Sequence, residues 1–107
     1  MRGRAGGLPE IQRLVEEDYP ERPTIEFSGK VWRMIEEDDY TQEDLKECVR
    51  TGRVHKRERD RYREAVDGNV YTIIGRDTRG RLFYTVGKIM SDDEGRYYFF
   101  ITAHEAG

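Results

Sequence analysis

His55 and His104 are the two histidines of this 107-residue chain, and imidazole is the side chain best tuned to move protons near neutral pH. Cleavage of RNA through its 2′-hydroxyl needs a base, an acid and positive charge around the scissile phosphate. His55 lies inside a segment that supplies such charge: Arg50, Arg53, Lys56, Arg57, Arg59, Arg61 and Arg63 stand against Glu58 and Asp60. The bias toward arginine suits phosphate or carboxylate recognition, because the guanidinium fork donates two parallel hydrogen bonds. His104 stands beside Glu105. In a nuclease reading, His55 or His104 transfers the proton, Glu58 is a weaker base, and Tyr84 is an acid or stacking group. Arg53, Lys56, Arg57, Arg59, Arg61, Arg63, Arg76, Arg79 and Arg81 are the expected RNA contacts, with Tyr98 as a stacking group. The plainer reading makes both histidines ordinary surface residues and the basic run a solvated edge that discourages aggregation.

Other chemistries are poorly served. The single cysteine, Cys48, has no partner for an internal disulfide, and its place on an apolar helical stripe reads as a core thiol rather than a nucleophile. Two histidines without zinc-ligand spacing, and strands without a carboxylate cluster, predict no metal and no cofactor.

The elements that must position these groups follow from periodicity. Ile11, Leu14 and Val15 recur at helical spacing between Pro9 and Pro20, predicting a helix over Pro9 to Asp18. Pro20 and Pro23 force an extended linker, and Thr24 to Phe27 alternates like a short edge strand. Ser28 is placed to cap a helix with the stripe Val31, Met34, Ile35. Thr41 and Asp44 resemble a capping box before Leu45, Cys48 and Val49, and Gly52 is placed as C-cap. Beyond Gly52 the period changes to 2, predicting strands over Arg53 to Val66, with a loop near its charged middle as an alternative, Val70 to Gly75, Arg81 to Met90 and Arg96 to Ala103. Asp67-Gly68, Asp77 to Gly80 and Asp92 to Gly95 mark the turns. The expected fold is α+β, with N-terminal helices on one face of a roughly four-stranded, mostly antiparallel sheet. Residues 1–8 are expected to be a flexible tail, 9–23 an accessory helix and linker, and 24–107 a single domain. A regular first strand would place Arg53, His55, Arg57, Arg59, Arg61 and Arg63 on one face, opposite Val54, Tyr62 and Val66.

Charged residues make up 38% of the chain. No apolar run approaches the roughly 18 to 20 residues that span a bilayer, and the first residues lack the apolar core of a signal peptide, so a cytoplasmic protein is expected. Residues 1–50 hold 8 Lys/Arg and 13 Asp/Glu, and residues 51–107 hold 11 and 9. The acidic half would repel free nucleic acid unless it faces away from the basic one.

Three pieces of the chain carry a resemblance: Phe27-Ser28 through Arg33-Met34; Gln42 through Val54; and Gly75-Arg-Asp-Thr-Arg-Gly-Arg-Leu-Phe-Tyr-Thr-Val86 followed by Ile101-Thr-Ala-His-Glu-Ala106. In this order and spacing the chain resembles the BrnT toxins and the related domain of unknown function 4258, among the RelE/ParE-like toxins of bacterial type II toxin-antitoxin systems. The resemblance implies a sheet packed on two helices, RNA cleavage that inhibits translation, and a cognate antitoxin, in some relatives a small zinc-finger protein; with no carboxylate cluster on the strands, that cleavage is expected to be metal-independent. Where the family carries histidines this chain has Gly29 and Tyr84, which gives weight to an alternative: a non-catalytic module of the same fold that docks an acidic protein or nucleic acid.

Overall fold

Two of the helices begin where a side chain satisfies free backbone N–H groups. Helix α1 spans Gly7–Glu16, α2 Gly29–Glu36 and α3 Gln42–Thr51, with strands β1 (Ile25–Phe27), β2 (Arg53–Arg59), β3 (Asn69–Arg76), β4 (Leu82–Asp92) and β5 (Gly95–Glu105). These assignments come from a computed structural model describing residues 7–106. Ser28 caps α2 by accepting from the Val31 N–H at 3.1 Å, while its own hydroxyl donates to the Ile101 carbonyl of β5. Thr41 caps α3 in a full capping box: its hydroxyl accepts from the Asp44 N–H at 3.1 Å, and Asp44 accepts from the Thr41 N–H at 2.9 Å. The other Asp44 oxygen reaches Thr78 in the β3–β4 turn, accepting from its N–H at 3.0 Å and its hydroxyl at 2.6 Å. One carboxylate thus starts a helix and fixes it to the sheet.

The α+β class matches the sequence expectation, but the sheet has five strands rather than four and is mixed. Its order is β1-β5-β4-β3-β2, antiparallel except that β1 runs parallel to β5, with Ile25 opposite Tyr98 and Phe27 opposite Phe100. Strand β1, within the expected Thr24 to Phe27, therefore forms one edge of the sheet and β2 the other. The first meander strand ends at Arg59, not Val66, because the Asp60 carboxylate accepts from the N–H groups of Tyr62, Glu64 and Ala65 and turns the chain. Arg63 adopts φ 58° in that turn.

The three helices cover one sheet face, where Tyr71, Ile73, Phe83, Ile89, Tyr98, Phe100 and Ala103 meet Val31, Leu45, Cys48 and Val49. Helix α1 adds Ile11, Leu14 and Val15, all buried, so the expected accessory helix shares this core. Burying such side chains is worth about 1.5–3 kcal/mol each. The Arg96 guanidinium ties α1 to β5 by donating to both Glu10 oxygens at 2.9 Å. The expected tail at residues 1–8 lies outside the described residues except for Gly7 and Leu8, which open α1.

Candidate nucleic-acid interface

No helix among the described residues covers the second face of the sheet, and its composition follows from the ladders. Directly paired residues share a face, so Tyr84 with His104, Val86 with Thr102, Lys88 with Phe99 and Met90 with Tyr97 all point away from the helices. From β3 come Ile74, paired with Tyr84, and Thr72, paired with Val86. From β2 come Arg53, opposite Ile74, Lys56, opposite Thr72, and Glu58, opposite Val70. A row His104–Tyr84–Ile74–Arg53 therefore crosses the sheet, with Thr102–Val86–Thr72–Lys56 beside it. The Tyr84 and His104 rings lie 5.3 Å apart, and the Thr102 hydroxyl is 3.4 Å from His104 Nε2. Arg76, paired with Leu82, extends the cationic border at the same end.

This arrangement splits the expected site residues. A bulge in β2 sets Val54 opposite Ile73 and Lys56 opposite Thr72, leaving His55 unpaired. Alternation shifts by one at the bulge, so Arg53, Lys56 and Glu58 lie on the open face, while Arg57 and Arg59 fall on the side of Tyr71 and Asn69. The single row of six basic groups is thus broken. Arg61 and Arg63 leave the strand altogether and stand exposed in the turn. His55 on β2 and His104 on β5 are three strand spacings apart, about 14 Å, too far to act on one phosphate. Glu58 is farther still along the strands, on the order of 20 Å from His104 by the same spacings. Arg79 is exposed at the β3–β4 turn. Arg81 donates to Asp77 at 2.9 Å and approaches Glu105 at 3.2 Å, so its charge is already shared between two carboxylates. Tyr98 is no stacking group: it is fully buried on the helix face, edge-on to Phe100. Its neighbours Tyr97 and Phe99 occupy the open face instead.

Sequence reasoning missed Lys88, which is only 4% exposed. Its ammonium lies 2.7 Å from Glu64 and 3.4 Å from each Asp60 oxygen, and 5.4 Å from the centre of the Tyr62 ring. The 60–68 turn is thereby anchored onto the open face. A lone lysine in the apolar run Val86-Gly-Lys-Ile-Met90 was the available signal, since such a group is buried only with a counter-charge. Burial alone would lower the Lys88 pKa, but Glu64 and Asp60 raise it above the ordinary value. Burial pushes Asp60 up, yet the N–H bonds from Ala65, Glu64 and Tyr62, with Lys88, hold it below the usual carboxylate range. Asp77 is held low in the same way, its burial outweighed by the N–H groups of Arg81 and Arg79 and by the Arg81 guanidinium. Cys48 is pushed up to about 11 by burial, which keeps it a thiol.

These shifts set the pH dependence of stability. Asp60 and Asp77 contribute fully above the unfolded carboxylate value of about 3.9 and lose that contribution as pH falls through their lower folded values. Lys88 contributes fully below about 10.4 and loses its share as pH rises through its higher folded value. Because the Cys48 thiol ionises at about 8.5 once unfolded but only at about 11 when buried, urea midpoints should stay nearly level across neutral pH, fall below about pH 4 and fall again from about pH 9 upward. A midpoint that rises on acidification below pH 4 would contradict this assignment.

No protein-family model, curated protein or solved structure matches the chain.

Proposed function

We propose that this protein is an RNA-binding, toxin-like endoribonuclease that holds RNA on the open sheet face. The carrying observation is the uncovered face itself, on which Tyr84, His104 and Thr102 meet at one end of a row closed by Arg53, with Lys56 and Arg76 nearby. Aromatic rings on an open sheet suit single-stranded RNA, whose unpaired bases stack, while the arginines and lysine hold phosphates. His104 is the proton-transfer group. As base it takes the 2′-hydroxyl proton, the 2′-oxygen attacks phosphorus, and the P–O5′ bond breaks to leave a 2′,3′-cyclic phosphate and a 5′-hydroxyl. Tyr84, beside the imidazole, protonates the departing 5′-oxygen, and Arg76, on β3 and so one strand nearer to His104 than Arg53, bears the phosphorane charge while Arg53 holds a neighbouring phosphate. No metal takes part in this scheme. The resemblance to BrnT-like toxins adds a cognate antitoxin as protein partner.

Purified protein should cut single-stranded RNA to cyclic-phosphate ends, and His104→Ala should lower the rate by about 10²-fold or more. His55→Ala, at the bulge of the far edge strand, should change it little. Intact RNA after incubation with folded protein that nevertheless binds it would establish the alternative, a non-catalytic binding module. That reading draws on the separation of His55 and Glu58 from His104, which leaves Tyr84 and Thr102 as its neighbours on the open face.

A further inference from the structure

Beneath the 60–68 turn the open face deepens into a cleft of about 860 Å³ whose floor is Val70, Phe99 and Ile101. Tyr62, 80% exposed, stands at its wall. A phosphate is a poor occupant. Glu58, Asp60 and Glu64 face the single cation Lys88 inside, while Arg59 and Arg61 are exposed among the lining residues. A planar heterocycle suits the cleft better, since the apolar floor takes one ring face and the Tyr62 ring can stack.

The carboxylates select the heterocycle. Asp60 is saturated by three backbone N–H groups and Lys88, and Glu64 is held by Lys88 at 2.7 Å. Glu58 makes one loose contact, to Lys56 at 3.6 Å, and both side chains are exposed. An ionised carboxylate only accepts, and its two oxygens lie side by side. Guanine alone among the RNA bases offers two adjacent donors, N1–H and the 2-amino group, on its Watson–Crick edge. We propose that this cleft is a guanine subsite, with Glu58 accepting from that edge, Tyr62 stacking on the base, and Arg61 of the turn holding the flanking phosphate. It rests on the RNA-interface reading and extends it to base preference. Glu58 is then a specificity residue rather than a base, consistent with its distance from His104.

The test is fluorescence anisotropy with a labelled oligoadenylate hexamer and the same hexamer carrying one central guanosine, beside NMR titration of the protein with GMP and AMP. Wild type should bind the guanosine hexamer about tenfold more tightly, and GMP but not AMP should shift the amide signals of Glu58 and Tyr62. Glu58→Gln, which replaces one acceptor by a donor at an exposed position, should erase the preference while oligoadenylate affinity stays within about twofold; Tyr62→Ala should weaken GMP binding. Equal affinity for both hexamers without GMP shifts would overturn the guanine subsite and leave the RNA interface standing. A preference retained in Glu58→Gln would overturn the role of Glu58. Failure to bind either hexamer would overturn the interface reading, and the GMP titration would then decide the subsite alone: shifts at Glu58 and Tyr62 uphold it, their absence overturns it.

Discussion

Gly75→Val should cost about 3 kcal/mol or more of folding stability, a large share of the roughly 5–15 kcal/mol available to a domain of this size. A side chain at Gly75 would collide with the Cys48 carbonyl oxygen at the end of α3 and lie 2.9 Å from both the Cα and the N of Gly52. All three neighbours are backbone atoms, which cannot rotate aside as a flexible side chain would. The two glycines let the last turn of α3 rest directly on β3, and a methyl group would lever the helix off the sheet. Gly29, by contrast, opens α2 with no atom near its missing Cβ, so Gly29→Ala should be neutral or stabilising by up to about 1 kcal/mol. Urea denaturation followed by circular dichroism separates the two; a Gly75→Val midpoint equal to wild type would refute the close-approach argument.

The second large effect is expected at Asp60. Asp60→Ala removes the acceptor for three backbone N–H groups and leaves the buried Lys88 with Glu64 as its remaining carboxylate partner. Breaking a buried pair in this way costs about 3–5 kcal/mol, chiefly because an under-compensated charge stays behind. Lys88→Met removes the cation while leaving the three N–H bonds to Asp60, so it should cost clearly less. The double variant should therefore be more stable than the sum of the two single losses predicts, a coupling measurable by a double-mutant cycle. An Asp60→Ala loss within about 0.5 kcal/mol, the range of ordinary surface changes, would mean that the turn is not held by this lock.

What could be read in the sequence was what is local. The capping box at Thr41 and Asp44, the Ser28 cap and the turns around Gly80 and Gly95 depend on residues a few positions apart, and each forms where the spacing puts it, whereas the expected tight hairpin at Asp67-Gly68 is only the end of a longer connection that begins at Asp60. The parallel pairing of β1 with β5 joins residues more than seventy positions apart and leaves no periodic trace. The single basic row requires a regular strand, and this strand is not regular: the bulge at His55 shifts the later residues to the other face, and Asp60 ends the strand before Arg61. Tyr98 shows the same limit in a run of four aromatics, Tyr97 to Phe100, where composition cannot tell which pair faces the helices. Lys88 is intelligible only with Asp60 and Glu64, and both come from a turn that strand periodicity does not position.

The pairing of β1 with β5 has a further consequence during synthesis. Strands β2, β3 and β4 can join as successive neighbours while the chain is still emerging from the ribosome. Strand β1, in contrast, is made early and waits for a partner made late, and α1 and α2 both pack against that same strand. Because β5 is also the strand that carries His104, the N-terminal third of the protein and this histidine of the open face are completed in the same event. A nascent chain halted before Gly95 would hold the basic edge but lack the opposite end of the His104–Tyr84–Ile74–Arg53 row, so the proposed chemistry is withheld until the sheet closes.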